Sequence, residues 1–234
     1  MSLTIGRGLF GSEPAARTNL APPDQVVLVE PLGRRVRAVR GGLVVVDSDD
    51  AKLAHVSGRL PRYAFPADHV RTEAEPDPDV EGHVTVEWDG VDAWFEEDER
   101  VLVHPRDPYH RIDTFATSRV VEVRVGGVLL ARSTRARALH ETALPVRHYL
   151  PRGDTRLEHL RPSPTVTECA YKGTARHWSA VVDGQVVEDV AWSYEDEVRR
   201  EGEAVRWMIA FYDERVDIDV DGARRPRPTT AWSR

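Results

Sequence analysis

Hydrophobic and polar residues alternate along several short segments of the chain, a pattern typical of β-strands with one buried face. In residues 215–220, RVDIDV, apolar residues alternate with arginine and aspartate. Apolar runs flank the pairs Gly126-Gly127 and Asp183-Gly184, which predicts hairpins at both. Residues 132–142, RSTRARALHET, predict a short helix, and residues 193–206, SYEDEVRREGEAVR, predict a charged helical or loop segment. Many short strands with few short helices indicate a mainly β protein.

Two parts of the chain resemble each other, which predicts an internal duplication. Residues 39–66 and 124–151 share a Gly-Gly turn, an apolar strand, a serine, a segment rich in alanine and leucine around a histidine, and a closing proline. A second, shorter similarity pairs Trp94 with Trp192. The distance between the two copies is too long for a solenoid repeat and suits a pair of duplicated small domains.

The duplication predicts the domain organisation of the chain. We expect two tandem, related, small antiparallel β domains at residues 26–121 and 122–223. A flexible N-terminus, residues 1–25, precedes them, and a flexible tail rich in arginine and proline, residues 224–234, follows.

Composition excludes several classes of protein. Hydrophobic residues make up 41% of the chain and charged residues 30%, which is typical of a globular protein with a core. The net charge of -7 argues against a nucleic-acid partner, and the single cysteine, Cys169, excludes an internal disulfide and a cysteine-based zinc site. No apolar run reaches the roughly 18 residues that a membrane span needs, and the N-terminal apolar stretch is too short for a signal peptide. We therefore expect a cytoplasmic protein without a membrane partner.

Candidate chemistry concentrates in residues 169–178, CAYKGTARHW. Lys172 precedes Gly173, which predicts a turn that aims the ammonium group in a fixed direction. A lysine desolvated beside aromatic groups has a lowered pKa and can act in proton transfer, in Schiff-base formation or in the capture of an anion. The alternative is a surface lysine whose stem packs on Tyr171. We interpret Cys169 as a small buried hydrophobe rather than a catalytic thiol.

A second set of polar and aromatic residues can contribute to the same pocket. Glu141 and Tyr149 can meet across a short loop, and Glu141 with Lys172 would form an acid/base pair or a pair that binds a zwitterion. The alternative is that these side chains pair with each other and hold the loop. Trp192 serves either the fold or a stacking wall. The predicted ligand-binding residues are Arg132, Glu141, Tyr149, Asp154, Tyr171, Lys172 and Trp192.

The same residues carry a resemblance to a known family. Residues 122–222 contain the motif C-x-YKG and the stretch FYDERVDIDVDG, and they resemble the DUF427 family of small bacterial and fungal domains of unknown function. The resemblance implies a compact antiparallel β fold of the β-tent kind, with a cavity lined by polar and aromatic side chains, and no established activity. Ala170 stands where the family usually has proline. The first copy is diverged, because it lacks the CAYKG motif and has Val56 in the place of Glu141.

Members of this family are sometimes labelled nucleotidyltransferases, a label that can be tested against the sequence. Such enzymes hold two metal ions on a carboxylate trio, for which this chain offers Asp217 and Asp219, or the aspartates at positions 47, 49 and 50. No glycine-rich phosphate loop is present in the sequence, and an Arg-x-Asp-x-Asp strand is more typical of a solvated face with cross-strand salt bridges. The histidines His148 and His159 do not have a metal-ligand spacing. We expect neither a metal nor a cofactor.

These observations favour a small-molecule binding module with its pocket in the C-terminal copy. The first alternative is an enzyme that uses Lys172 or Glu141 in acid/base or covalent chemistry. The second alternative is a protein-interaction scaffold in which the N-terminal copy supplies the docking surface.

Overall fold

The computed structural model describes residues 25–233, and these form two compact units, residues 25–109 and 110–233. The predicted flexible N-terminus, residues 1–25, lies outside the described residues except for Gln25. Residues 110–121, which the predicted duplication places in the first domain, are part of the second unit. The reason is that residues 112–116 form a strand that pairs with residues 137–141, deep in the second unit.

The N-terminal unit consists of short strands and two 3₁₀ turns, Ala67–His69 and Trp88–Gly90. Its strands are β1 (Val27–Pro31), β2 (Val36–Arg40), β3 (Leu43–Ser48), β4 (Lys52–Val56), β5 (Arg62–Pro66), β6 (Glu75–Pro76), β7 (His83–Thr85), β8 (Ala93–Glu96) and β9 (Glu99–Val101). They form a five-stranded sheet in the order β1-β4-β5-β7-β6 and a four-stranded sheet in the order β3-β2-β8-β9. Buried residues of both sheets, Val36, Phe65 and Trp94 among them, form one hydrophobic core.

The C-terminal unit has the same kind of architecture with a larger first sheet. Its strands are β10 (Ile112–Ala116), β11 (Val121–Val125), β12 (Val128–Ser133), β13 (Arg137–Glu141), β14 (Arg147–Pro151), β15 (Leu160–Cys169), β16 (Gly173–Val182), β17 (Gln185–Val198), β18 (Met208–Phe211), β19 (Asp217–Val220) and β20 (Ala223–Arg224). The 3₁₀ helices of this unit are Arg152–Asp154, Leu157–His159 and Arg200–Val205.

Two sheets of the C-terminal unit bury apolar residues on three faces. The seven-stranded sheet has the order β10-β13-β14-β18-β17-β16-β15, and the four-stranded sheet has the order β12-β11-β19-β20. The main core joins the four-stranded sheet to one face of the seven-stranded sheet and includes Val121, Leu150 and Ile209. Since adjacent strand residues point to opposite faces, Tyr149 lies on the other face, in a second cluster with Leu139. This second face of the large sheet carries the candidate site.

The described part of the chain is mainly β, as predicted, and its strand pairs are antiparallel. The short helix predicted for residues 132–142 is wrong. That segment forms the end of β12, a turn and β13, because β13 pairs with β10 on one side and β14 on the other. Pairing on both edges outweighs the helix propensity of alanine, leucine and arginine. No helix in residues 25–233 is long and apolar enough to cross a bilayer.

The two units can be compared strand by strand. In the N-terminal unit β4 pairs with β1 and β5, and in the C-terminal unit β13 pairs with β10 and β14. The hairpins also correspond, since Val36 pairs with Ser48 in one unit and Val121 with Ser133 in the other. The predicted match of Trp94 with Trp192 is not found. Trp94 lies on β8 of a four-stranded sheet, whereas Trp192 lies on β17 of the seven-stranded sheet.

Residues 225–233, for which the sequence predicts a flexible tail, make defined contacts with the C-terminal unit. The Thr230 hydroxyl donates a hydrogen bond of 2.6 Å to Glu214 Oε1. The Trp232 ring lies 6.4 Å from the ring of Tyr212, centroid to centroid. Both contacts hold the end of the chain beside the acidic turn that follows β18.

Candidate functional site

A tight turn positions Lys172, as the sequence predicted. Residues 170–172 connect β15 to β16, and Gly173 follows with a φ of +100°, a conformation that favours glycine. The Arg199 amide donates a 3.0 Å hydrogen bond to the Lys172 carbonyl oxygen. A Cβ at Gly173 would lie 2.0 Å from the Glu197 carbonyl oxygen, and one at Gly202 would lie 2.6 Å from the Lys172 carbonyl oxygen. The two glycines therefore allow the close backbone approach that fixes the turn.

The Lys172 side chain reaches a carboxylate from a distant part of the sequence, and that carboxylate also contacts an imidazole. Its ammonium group forms a salt bridge with Glu141 at the end of β13. The second carboxylate oxygen of Glu141 lies 3.0 Å from His110 Nε2. The His110 ring stacks on Tyr171, with centroids 4.4 Å apart and planes inclined by 19°. We call His110, Glu141, Tyr171 and Lys172 the Lys172 cluster.

The charges of this cluster are largely removed from water. The side chains of Lys172 and Glu141 are 7% and 8% exposed, and that of His110 is 17% exposed. Burial alone raises the pKa of Glu141, but the Lys172 charge and the His110 and Lys172 hydrogen bonds outweigh it and lower that pKa to about 2. Glu141 is consequently a carboxylate at neutral pH and a weak proton acceptor.

The lowered pKa of Glu141 predicts a contribution to stability that disappears in acid. Because its pKa is about 2 in the folded chain against an ordinary value of 4.5, the contribution is complete above 4.5 and is lost as the pH falls towards 2. We expect Glu141→Gln to remove this contribution, so that the free energy of unfolding falls less steeply over that range. Chemical unfolding at a series of pH values measures the effect. An unchanged acid slope in the variant would contradict it.

Buried aromatic side chains adjoin the Lys172 cluster on the same face of the sheet. Trp192 Nε1 donates a 3.0 Å hydrogen bond to the Tyr149 hydroxyl, and the two rings are nearly perpendicular. Burial raises the pKa of Tyr149, and the Glu141 charge raises it further. Burial likewise raises the pKa of Tyr194, and the Glu141 charge acts in the same direction. Tyr149 and Trp192 thus contact each other on the face of the sheet that also carries Glu141.

Arg147, which the sequence analysis did not identify, occupies the centre of this aromatic region. Its guanidinium donates hydrogen bonds of 2.8 and 2.6 Å to Glu214 and one of 3.0 Å to Asp213. It also lies 5.7 to 5.9 Å from the ring centroids of Trp192, Tyr212 and Trp232. The adjacent acidic residues 213 and 214 indicate that a cation lies near them. They are far from Arg147 in the sequence, so the sequence alone does not show that Arg147 is that cation.

The hydrogen bonds of Arg132 and Asp154 are with residues outside the Lys172 cluster. The Arg132 side chain is 57% exposed on β12 and donates to Glu122 at 3.0 Å. Asp154 accepts hydrogen bonds of 2.6 Å from Ser133 Oγ and from Arg135. The structure therefore brings Glu141, Tyr171 and Lys172 into contact, and it engages Arg132 and Asp154 in other pairs.

Asp217 and Asp219, two of the carboxylates considered for a two-metal site, are engaged by arginines. Asp219 accepts hydrogen bonds from Arg124 and Arg224, and Asp217 forms salt bridges with Arg224 and Arg227. This is the solvated strand face with cross-strand salt bridges that the alternation predicted. Within residues 25–233, no group of three or more histidine, cysteine, aspartate or glutamate side chains is arranged to hold a metal ion.

Comparison with known protein families gives a match within the C-terminal unit. No curated protein matches the sequence. The sequence profile of a domain of unknown function, DUF427, matches residues 113–222, which run from β10 through β19 and include the whole turn around Lys172. Residues 113–222, within the C-terminal unit, are therefore similar to the DUF427 family.

Proposed function

We propose that the C-terminal unit binds a small charged molecule at the Lys172 cluster. The supporting observation is that Lys172 and Glu141, each more than nine-tenths buried, meet at a turn fixed by close backbone packing. A buried ion pair contributes little net stability, because the cost of removing two charges from water offsets their attraction. Titratable groups with strongly perturbed pKa values are concentrated at functional sites. A binding role accounts for the pair better than stability does.

The chemistry of the pair indicates the kind of ligand. A molecule with both an anionic and a cationic group can replace the internal salt bridge with two external ones, to Lys172 and to Glu141. His110 is more exposed than Lys172 and Glu141 and would lie at the entrance. Tyr149 and Trp192 would supply the aromatic wall. We therefore propose a small zwitterion, with Arg132 and Asp154 outside the contact set.

Native mass spectrometry of gently purified full-length protein tests this proposal. We expect an additional non-covalent mass that is lost in Lys172→Ala and in Glu141→Ala while the fold is retained. Lys52, on β4 of the N-terminal unit, is the chain's other lysine, so Lys52→Ala is the matched control and should keep the ligand. A bound mass that survives Lys172→Ala would reject this site. An apo mass, with no zwitterion binding in titrations of amino acids, would favour the scaffold alternative.

The enzyme alternative has less support. A general base works best when its pKa lies near the working pH, and the pKa of Glu141 is about 2. Covalent chemistry at Lys172 would break its salt bridge with Glu141 and leave that buried carboxylate without its cation. Binding without turnover is the simpler role for this arrangement.

We also propose that the N-terminal unit is a diverged duplicate of the C-terminal unit. The corresponding strand pairs of β4 and β13 support this relation. β4 ends at Val56 where β13 ends at Glu141, so the duplicate has an apolar residue in place of the cluster's carboxylate. We therefore assign the ligand to the C-terminal unit.

A further inference from the structure

A depression of about 490 Å³ lies at one end of the seven-stranded sheet, where β10 ends and β13 begins. Its walls come from residues 116–118 and 134–137. The Thr117 amide donates a 2.9 Å hydrogen bond to the Ala136 carbonyl oxygen, which ties the two walls together. The volume is within the range of small-molecule sites.

The walls of the depression carry positive charge without a carboxylate. Its lining residues include Arg135 and Arg137 and no acidic residue. Asp154, outside the lining, accepts a 2.6 Å hydrogen bond from Arg135. Arg137 differs from Arg135, because it is half-buried and its side chain has no hydrogen bond, ion pair or ring contact with the rest of residues 25–233. Its charge is partly desolvated and uncompensated.

The lining of the depression also includes three residues that carry hydroxyl groups. Thr117, Ser118 and Thr134 line the depression. Thr117 Oγ1 accepts a 3.3 Å hydrogen bond from the Arg119 amide, so its own hydrogen remains available to a ligand. Arginine presents a planar set of donors that matches an oxyanion, and nearby hydroxyls add further donors. The combination of a partly buried free arginine and several hydroxyls suits phosphate oxygens.

We propose that this depression, centred on Arg137, is a binding site for a phosphate group, either the free ion or the phosphate of a small ester. It is separate from the Lys172 cluster, although Arg137 and Glu141 are the two ends of β13 and their side chains share a face of the strand. The anion would compensate the Arg137 charge, and Arg135 would remain paired with Asp154.

Titration of the full-length chain with inorganic phosphate, at constant ionic strength held with chloride, tests the site. We expect saturable binding whose amide shifts in NMR spectra map to residues 117, 118 and 134–137. Arg137→Gln should weaken the affinity by a factor of about 10 to 150, since a charge-assisted hydrogen bond contributes about 1.5–3 kcal/mol and each 1.4 kcal/mol is about tenfold. The matched control is Arg132→Gln, because Arg132 is an exposed arginine on β12 that is paired with Glu122. The affinity of this variant for phosphate should stay within a factor of about two of that of the unchanged protein.

Several results would overturn the proposal. They are the absence of saturable phosphate binding, shifts confined to other residues, and equal losses in Arg137→Gln and Arg132→Gln. If Arg137→Gln fails to fold, Arg137→Lys and the shift map of the unchanged protein decide the question. A parallel titration with glycerol 3-phosphate distinguishes the two sources. Tighter binding of the ester assigns the site to phosphorylated small molecules, and tighter binding of inorganic phosphate assigns it to the free ion.

Discussion

Replacing Arg147 by methionine is expected to lower the free energy of unfolding by about 3–5 kcal/mol at neutral pH. The reason is that Arg147, Asp213 and Glu214 form a buried group in which the arginine side chain is 7% exposed and the two carboxylates 2% and 0%. Methionine preserves much of the apolar volume and the contact with the Trp192 ring. It leaves Glu214 without its cation and Asp213 with only Arg225, 3.5 Å away, and this poorly compensated buried charge is the source of the loss.

The pH dependence identifies that mechanism. Burial raises the pKa of Glu214, but hydrogen bonds from Arg147 and Thr230 outweigh it and lower the pKa below its ordinary value. Glu214 therefore adds stability above its unfolded pKa, and that stability is lost as the pH falls. Burial raises the pKa of Asp213 despite Arg147, so its charged form is already costly. In Arg147→Met both carboxylates should take up protons at higher pH, and the difference from the unchanged protein should shrink in acid.

Urea unfolding followed by tryptophan fluorescence measures the effect, because Trp192 and Trp232 both contact Arg147. Arg176→Met is the control. Arg176 pairs with Asp196 on the surface, with 58% and 61% of the two side chains exposed, and its loss should change stability by less than about 1 kcal/mol. A similar loss in both variants, or a loss in Arg147→Met that does not change with pH, would show that desolvated charge is not the cause.

Local patterns in the sequence were sufficient for much of the fold. Period-two alternation identified the strand Asp217–Val220, and glycine pairs identified the hairpin of β11 and β12. The turn at Lys172 was predictable because a glycine that follows a polar residue is a local signal. Residues 132–142 were mistaken for a helix because their composition favours one and their pairing partners are not visible in the local pattern.

The candidate site was only partly predictable for the same reason. Glu141, Tyr171 and Lys172 were identified, and they do meet. His110 was missed because it completes the cluster from a segment that the duplication places in the other domain. Arg147 was missed because its buried salt bridges are with Asp213 and Glu214, which are distant in the sequence. The antiparallel pairing of β14 with β18 brings these residues together. A contact between strands far apart in sequence leaves no periodicity in either of them.

Among the glycines of the C-terminal unit, Gly173 is the one at which substitution by alanine should have the largest effect. The new Cβ would lie 2.0 Å from the Glu197 carbonyl oxygen and 3.1 Å from the Arg199 nitrogen, so the backbone itself must move. The φ of +100° adds strain for any residue with a side chain. We expect a loss of about 4 kcal/mol or more in the free energy of unfolding. Urea unfolding measures this loss.

A second glycine separates the steric effect from the dihedral strain. Gly184, at the hairpin between β16 and β17, has a φ of +75°, but a Cβ added there would have no atom within 4 Å. Gly184→Ala should therefore cost only about 1–2 kcal/mol, the strain of a left-handed residue. Comparable losses in the two variants would show that backbone crowding at Gly173 is unimportant.

The consequence for Lys172 distinguishes a local distortion from a general loss of stability. Movement of the turn away from Glu197 displaces the ammonium from Glu141, so the pKa of Glu141 should rise from about 2 towards its ordinary value in Gly173→Ala. Carboxyl NMR titration detects that rise, and Gly184→Ala should not show it.

If Gly173→Ala does not fold, Gly202→Ala places a Cβ 2.6 Å from the Lys172 carbonyl oxygen and should raise the same pKa. Its control, Gly153→Ala, has open space around the added methyl group and should leave Glu141 unchanged. An unaltered Glu141 pKa in both crowded variants would mean that the turn does not position Lys172.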